Sequence, residues 1–334
     1  MSQLLHQIFI GKKVKKNNLF FLTSLTVFII LSIIIKVDLA GLFSLISVAL
    51  LTFYIASYYK YLATILYVAL SLRLITILLG IDLIILPDSW GDASKFEARA
   101  WEISQDGFFG VFSNFPQDSA AHHFSWILAF FYSLTYRSPI VLQSVSLIFG
   151  MASVLLGSQL AGKIWNKEIS QKVGWILALY PTLILYSCLI LRESLIWFFL
   201  LLALYGITCW VKDKSFKSII FILIAFSGAT FMHGAMIIGG FAFLIIIASV
   251  YFFQIINKLV YQKTSISSLI ILIVSIIALY SLVANISSVP KFQKIKQFNL
   301  EYLVLEISKR NSTRDNREIT AGAGAAFPEW TVPK

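Results

Sequence analysis

The sequence predicts an all-α polytopic membrane protein with about nine transmembrane helices. Hydrophobic residues make up 58% of the chain and charged residues 13%, which is more apolar surface than a water-soluble domain of this size needs. Apolar runs long enough to cross a bilayer recur along most of the chain. Backbone polar groups inside a bilayer must be satisfied within their own segment, so these runs are predicted to be helices.

The basic residues favour a membrane protein over a nucleic-acid-binding protein. The net charge is +11, but the basic residues cluster in short loops between apolar runs, which is the positive-inside pattern. We therefore expect a lipid bilayer and no nucleic acid among the partners. Cys188 and Cys209 lie in apolar runs without the spacing of a CxxC pair or a metal site, so both are predicted core residues.

Residues 1–86 are predicted to anchor the chain through three spans. Lysines before the first apolar run, without a small-residue cleavage site after it, indicate a retained signal-anchor with a cytoplasmic N-terminus. Arg73 lies near the middle of the third span, where a charged side chain is costly and is usually paired or faces a cavity. The spans are about Leu19–Ile35, Leu39–Tyr58 and Tyr61–Leu86.

Residues 87–137 are predicted to form a large first extracytoplasmic loop with interfacial helices. Pro87–Gly107 is the first polar segment after the third span, and His122–Arg137 is apolar, aromatic-rich and short for a span. If His122–Tyr136 does not cross, the lysines of the later loops share the cytoplasmic side with the N-terminus, so a non-crossing helix is predicted. These lysines are Lys163, Lys167, Lys172, Lys212, Lys214, Lys217, Lys258 and Lys263.

Residues 138–286 are predicted to form the transmembrane bundle and residues 287–334 a polar extracytoplasmic tail. The tail ends without another apolar run, so we expect the chain to be a fragment or a shortened member of its class. The further spans are about Pro139–Leu160, Val173–Leu189, Ser194–Val211, Ser218–Phe231, Ala235–Phe253 and Ser267–Leu282.

This topology gathers the polar residues that could carry chemistry on the extracytoplasmic face. Asp92 lies in the large loop, and Arg192 and Glu193 lie at the turn between the fifth and sixth spans. His233 lies at the turn between the seventh and eighth spans. The tail adds Lys309, Arg310, Arg314 and Arg317. A carboxylate facing several cations suits the deprotonation of an acceptor hydroxyl beside a phosphate or pyrophosphate leaving group, because arginine binds phosphate oxygens through a planar fork.

The candidates in the loop also have a structural interpretation. Ser89 and Asp92 match a capping box, in which Asp92 helps to cap the helix that begins near it. Glu97 and Glu102 suit the solvated face of an interfacial helix. The buried side of that helix would consist of Phe96, Ala100 and Ile103.

The remaining candidates have similar alternatives. Arg192 and Glu193 suit a self-satisfied pair at a helix start, and His233 suits a hydrogen bond to a carbonyl at the end of the bundle. His122 and His123 suit interfacial polar positions, and the basic residues of the tail suit a solvated surface. The functional signal is therefore the gathering of these residues on one face, rather than any one of them alone.

One stretch of the loop carries a family resemblance. GDASKFEARAWEISQDG resembles the first extracytoplasmic loop of the GT-C superfamily of membrane glycosyltransferases, especially its protein O-mannosyltransferase-like branch (family 39). The loops of that branch have an acidic residue, an aromatic residue, an alanine and a glycine at this spacing. Here the four places are occupied by Asp92, Phe96, Ala100 and Gly107.

Two later stretches extend the resemblance over roughly residues 85–235. HHFSWILAFFYSLTYRSPIVLQSVSLIFGMASVLL is similar to the juxtamembrane helix and following span of that branch. ALYPTLILYSCLILRESLIWFFLLLALY is similar to its next helical pair, with Arg192 and Glu193 where the branch has a polar pair.

The resemblance implies a GT-C-like bundle and a membrane glycosyltransferase of the hexosyltransferase class. Asp92 would be the general base that activates the acceptor hydroxyl, and Glu97 is the second candidate catalytic carboxylate. The donor would be a polyprenyl-phosphate-linked sugar, and the acceptor a glycan or a lipid. The substrate and its phosphate would be bound by Arg192, Glu193, His233, Arg310, Arg314 and Arg317.

The chain departs from that branch at several points. Ala93 follows Asp92 in place of a second acidic residue, and two extra spans precede the loop. His122–His123 stands without prolines where a His-Pro-Pro segment is expected, and the extracytoplasmic domain that often follows is missing.

These departures keep two other interpretations open. A Wzy-type polymerase, which joins polyprenyl-pyrophosphate-linked repeat units of O-antigen or capsule, uses arginine and histidine of external loops. Arg192, His233 and the arginine-rich tail would fit that use. A polysaccharide-related transporter is the interpretation favoured least. It predicts paired ionisable residues deep in several spans, whereas Arg73 is the only clear deep charge in the sequence.

The external segments hold no DxD-like pair, so we expect no tightly bound metal and no other cofactor. The sequence leaves a requirement for a divalent metal open. We expect the protein in the bacterial inner (plasma) membrane, with a cytoplasmic N-terminus and an extracytoplasmic active face. The predicted role is in the synthesis of cell-envelope polysaccharide.

Overall fold

The described residues of the chain are mainly helical and include no strand. The computed structural model describes residues 19, 21–113, 115–116, 120–213 and 216–243, and beyond these only 245, 246, 249, 252 and 253. The chain divides into two units, Met1–Phe243 and Leu244–Lys334, and the helices below all belong to the first. The predicted ninth span at Ser267–Leu282 and the polar tail lie outside the described residues.

The helices follow one another with short connections. In chain order they are α1 (Phe21–Ile34), α2 (Leu39–Tyr58), α3 (Ala63–Asp82), α4 (Asp92–Ser104), α5 (Gly107–Ser113), α6 (Ala120–Leu134), α7 (Pro139–Ile164), α8 (Lys167–Leu179), α9 (Pro181–Cys188), α10 (Glu193–Asp213) and α11 (Phe216–Met232). A 3₁₀ turn at Gly234–Met236 leads into a last helical segment that ends at Phe243.

Four helices of the described residues, α2, α3, α7 and α10, are long and apolar enough to cross a membrane. This agrees with the prediction of an integral membrane protein. Helix α7 lies at the centre, in contact with α2, α3, α8, α9 and α10. Its Gly150 and Gly157 allow the close approach, because a methyl group at either position would overlap the side chain of Ser187 or Leu177.

The predicted span Val173–Leu189 is wrong as a single helix, because the structure contains two helices, α8 and α9, joined at Tyr180. Pro181 explains the break: it has no N–H to donate to the preceding turn, and its ring disfavours the helical conformation of the residue before it. Tyr180 is accordingly extended, with φ −67° and ψ 116°.

Arg73 lies in the middle of α3, is 1% exposed, and faces this break. Its Nη1 donates to the carbonyl of Ala178 at 3.2 Å and its Nη2 to the carbonyl of Leu177 at 3.4 Å. Its Nε donates to Ser187 Oγ at 2.9 Å. The expectation that this deep charge is paired is therefore met, with helix carbonyls and a hydroxyl as the partners.

The described bundle has two ends, and the first is the lysine end. There, Gln171 Nε2 donates to the carbonyl of Tyr61 at 2.9 Å, and the Lys167 ammonium lies 4.8 Å from the ring centroid of Tyr61. The Lys212 ammonium contacts the carbonyl of Lys163. The end of α7, the start of α8 and the end of α10 thus lie close together.

Helix α6 begins and ends at the opposite end of the bundle. His123 Nδ1 lies 3.0 Å from the carbonyl oxygen of Phe231, near the end of α11. After α6, the Tyr136 hydroxyl donates at 2.9 Å to Asp38, the residue that caps the start of α2. The prediction that residues 122–136 do not cross agrees with this placement.

The linker between α6 and α7 holds two carboxylates at this end. Ser138 Oγ donates to Asp38 Oδ2 at 2.8 Å, and Tyr136 donates to Oδ1 of the same carboxylate. Arg137 donates from Nε and Nη2 to the two oxygens of Glu97, each at 2.9 Å. These five residues, which we call the linker clasp, join α2 and α4 to the start of α7.

The clasp corrects the prediction for Glu97. Its side chain is only 12% exposed, and it also accepts a hydrogen bond from the Tyr132 hydroxyl at 2.8 Å, so Glu97 does not lie on the solvated face of α4. The sequence could not show this, because its partner Arg137 is forty residues away. Glu102 is on the solvated face, paired with Arg99 at 2.6 Å. The predicted buried side of α4 is confirmed at Phe96, Ala100 and Ile103.

The first prediction concerns the orientation of the two ends. A cysteine introduced by Glu102→Cys should react with a membrane-impermeant maleimide in intact cells, and one introduced by Lys172→Cys should react only after permeabilisation, because the lysine end is expected in the cytoplasm. Both positions are exposed, and the background carries Cys209→Ser while Cys188 stays buried. Reaction at position 172 in intact cells would show that the orientation is reversed.

The second prediction concerns the clasp. Glu97→Gln and Arg137→Met should each lower the Tm of the purified protein. Each substitution removes one charge of a bidentate pair and leaves the other charge without its counter-charge. The double variant should be no less stable than the worse single variant. Additive losses would show that the two side chains act separately.

The same clasp predicts a dependence on pH. The hydrogen bond from Arg137 holds the pKa of Glu97 below its usual range. A carboxyl with a lowered folded-state pKa stabilises the fold above its unfolded-state pKa and loses that contribution as the pH falls. The wild type should therefore lose Tm more steeply than Glu97→Gln below about pH 5. Parallel pH profiles would contradict the pairing.

Candidate active site at the end of the bundle opposite the lysines

The segment between α9 and α10 is buried and bent, and the N–H of Leu191 donates to the carbonyl of Leu189 at 2.9 Å. Leu189, Ile190 and Leu191 are each less than 9% exposed, and Leu189 has φ −103° and ψ 161°. Ser146 Oγ on α7 donates to the carbonyl of Leu191 at 3.3 Å. Arg192 follows this segment directly, so its backbone is held by packed apolar neighbours.

The Arg192 side chain lies where three helices meet. Its guanidinium carbon is 5.6 Å from the ring centroid of Phe96 on α4, and its Nη1 donates to the carbonyl of Met232 at 3.5 Å. Met232 is the last residue of α11, so the cation lies at the negative end of a helix dipole. The side chain remains 17% exposed.

Arg192 and Glu193 form an ion pair without a hydrogen bond. Arg192 Nε lies 3.8 Å from Glu193 Oε1, beyond hydrogen-bond distance. Among the described residues, Arg192 Nε and Glu193 Oε2 are buried and have no hydrogen-bond partner. The interpretation as a pair at the helix start is therefore confirmed as an ion pair, but one donor and one acceptor of the pair lack a hydrogen bond within the described residues.

Asp92 is the first residue of α4 and is exposed. It makes no side-chain hydrogen bond or ion pair within the described part of the chain. Phe96 lies four residues later, on the same face of the helix and one turn away. Asp92 therefore precedes Phe96, whose ring the Arg192 guanidinium approaches, by about one turn of the α4 backbone.

The capping-box interpretation of Ser89 and Asp92 is wrong. A box would place Ser89 at the N-cap, but the N-cap is Gly91, and no side chain caps this helix. The chain turns just before it: Asp88 has φ 63°, and the N–H of Ser89 donates to the carbonyl of Leu86 at 3.2 Å. The helix therefore begins two residues later than the box requires.

His233 lies between α11 and the 3₁₀ turn, one residue after Met232. Its backbone N–H bonds the carbonyl of Ala229. Its half-buried imidazole has no partner among the residues that the structure describes, so the expected bond to a carbonyl is wrong for His233. A contact of this kind is made by His123 instead. Its ring stacks on the Phe231 ring, with 4.4 Å between the centroids, and its Nδ1 approaches the carbonyl oxygen of Phe231.

One polar contact was not predicted from the sequence. The Tyr186 hydroxyl on α9 donates to Asp88 Oδ2 at 3.3 Å. It joins the turn before α4 to the helix that leads to Arg192. Two residues 98 positions apart carry no local signal of such a contact, so only the fold reveals it.

Arg310, Arg314 and Arg317, predicted to bind phosphate, lie outside the described residues. Within the described residues, no group of three or more histidine, cysteine, aspartate or glutamate side chains could hold a metal ion.

Comparison with known proteins adds no relative. No protein-family model, no curated protein and no solved structure matches this chain.

Proposed function

We propose that this chain is an integral membrane glycosyltransferase. It transfers a sugar from a polyprenyl-phosphate-linked donor to a glycan or lipid acceptor at the extracytoplasmic face of the bacterial plasma membrane. The observation that carries the proposal is that Arg192, whose Nε has no hydrogen-bond partner among the described residues, lies against Phe96, and that Asp92 precedes Phe96 by about one turn of α4.

Arg192 is suited to hold the phosphate of the donor. Its Nε has no hydrogen-bond partner among the described residues, and a guanidinium presents several N–H groups in a plane that matches phosphate oxygens. The side chain is mostly buried between Phe96 and the end of α11, and charge interactions are stronger where water is largely excluded. Glu193 limits where the guanidinium can turn.

Asp92 is suited to act as the general base. In the proposed step, the acceptor hydroxyl oxygen attacks the anomeric carbon, and its proton passes to the Asp92 carboxylate. The bond between that carbon and the phosphate oxygen breaks, and the polyprenyl phosphate leaves with the bonding electrons. Glu97 is not suited to this role, because hydrogen bonds from Arg137 and Tyr132 occupy both of its oxygens.

The third prediction separates the base from the phosphate ligand. Asp92→Asn should leave the protein level in membranes unchanged and reduce transfer about 10²–10⁴-fold, because the amide cannot take the proton. Arg192→Ala should raise the KM for the lipid-linked donor more than it lowers kcat, if the arginine binds the phosphate equally in ground and transition states. The measurement is transfer to acceptor by protein in lipid nanodiscs. Glu102→Gln, on the solvated face of α4, is the matched control.

A Wzy-type polymerase is the second candidate function. It is favoured by the imidazole of His233, which has no partner within the described part of the chain and follows Met232, the residue that Arg192 contacts. An arginine and a histidine together would handle a polyprenyl-pyrophosphate leaving group.

The fourth prediction distinguishes the two enzymes. In a strain that lacks this protein, we expect Asp92→Asn to fail to restore glycan synthesis, and His233→Ala to restore most of it. The physical reason is that the transferase needs a base at Asp92, whereas the polymerase needs the histidine and the arginine. Full restoration by Asp92→Asn, together with failure of His233→Ala and Arg192→Ala, would favour the polymerase.

A transporter finds less support. Broken membrane helices form substrate sites in many transporters, and α8 and α9 are such a pair. Here, however, Arg73 already occupies the carbonyls at the break. The cavity beside it measures about 20 Å³, which has room for about one water molecule.

A further inference from the structure

Arg73 is a buried cation whose hydrogen-bond partners are all neutral. Within the described residues it has no ion pair with a carboxylate, and its hydrogen bonds go to oxygens of Ala69, Leu177, Ala178 and Ser187. A charge in such a place is costly unless its surroundings compensate for it. The compensation comes from the C-terminal end of α8, whose exposed carbonyls are the negative end of a helix dipole.

The carbonyls that Arg73 bonds are those that the helix break leaves open. In a continuous helix, the carbonyl of Leu177 would accept from the N–H of residue 181, but Pro181 has none. The carbonyl of Ala178 loses its helical partner as well, because Tyr180 is extended. The guanidinium therefore takes the place of the backbone N–H donors that these two carbonyls would have in a continuous helix.

Arg73 also holds the helix beyond the break. Its Nε donates to Ser187 Oγ, and its own carbonyl accepts from Cys188 Sγ at 3.3 Å. Ser187 and Cys188 are the last residues of α9. The same arginine thus contacts the end of one helix and the end of the next.

The path from these contacts to the candidate site is short and buried. Arg192 lies five residues after Ser187, and the residues between them are all less than 9% exposed. On the other side, Gly150 of α7 leaves no room for Ser187 to shift inward. A displacement of α9 would therefore move the backbone that carries Arg192.

We propose that Arg73 is a positioning residue: it keeps α8 and α9 bent at Tyr180 and thereby sets the place of Arg192. The role of Arg192 in transfer rests on the proposed function, but the placement of α9 does not. Arg73 itself is enclosed near the middle of the bundle and does not touch the candidate substrate position.

The test compares Arg73→Leu, Pro181→Ala and the double variant. Arg73→Leu leaves the carbonyls of Leu177 and Ala178 without a donor, so the Tm should fall. In the double variant, the new backbone N–H at position 181 can bond Leu177, so the Tm should recover. The helix is then free to run straight, and α9 should stay displaced. Arg73→Lys, which keeps the charge without the fork, is the control for charge alone.

Two further readouts separate positioning from stability. Spin labels at Tyr186→Cys and Glu102→Cys, in the Cys209→Ser background, report the distance between α9 and α4 in nanodiscs. This distance should change in Arg73→Leu and remain changed in the double variant. Sugar transfer should fall by about 100-fold in both, which is the loss that a misplacement of about 1 Å can cause.

The proposal is overturned if the double variant regains transfer together with Tm, because the arginine would then only satisfy carbonyls. An unchanged label distance in Arg73→Leu also overturns it. If the wild-type protein transfers no sugar, the proposed function fails, while the label distance and the Tm still decide whether Arg73 positions α9.

Discussion

The described bundle depends on the hydrogen bonds between Arg73 and the carbonyls at the break between α8 and α9. A buried guanidinium without partners is costly in an apolar interior, and so is a pair of helix carbonyls without donors. When the guanidinium donates to these carbonyls, each group gains hydrogen-bond partners, and most of the free-energy cost of burying both is removed. The sequence thus tolerates Pro181 inside a span because Arg73 lies opposite, and tolerates Arg73 because Pro181 leaves acceptors there. Either residue without the other would leave buried polar groups without hydrogen-bond partners.

A second set of contacts fixes the end of the bundle that carries the candidate site. Helices α4 and α6 pack through an apolar cluster that includes Phe96 and Phe124, whose rings meet edge to face at 5.2 Å. The linker clasp then fixes the edge of this layer through Glu97 and Arg137. Because packing and the clasp hold the body of α4, its first residue, Asp92, can be well placed without making bonds of its own. A base needs that combination of fixed position and free oxygens.

The sequence predicted features with local or periodic signals and missed those with distant partners. The apolar spans, the buried side of α4 and the pairing of Arg73 follow from hydropathy, helical spacing and the cost of burying charge. The break at Pro181 has a local signal as well, a proline within a predicted span. The role of Glu97 depends on Arg137, forty residues away, and no local pattern encodes such a contact. The capping box failed because the turn at Asp88 shifts the helix start.

The same physics explains why the candidate site lies at the end of the bundle and not at the helix break. At the break, Arg73 already bonds the carbonyls of Leu177 and Ala178 and the hydroxyl of Ser187, so these groups are not open to a substrate. At the end, the Nε of Arg192 and one oxygen of Glu193 have no hydrogen bond within the described residues. Buried polar groups without partners are rare in native proteins because each costs free energy. A ligand that completes these hydrogen bonds would fit the proposed function, in which a donor phosphate binds Arg192 and an acceptor hydroxyl gives its proton to Asp92.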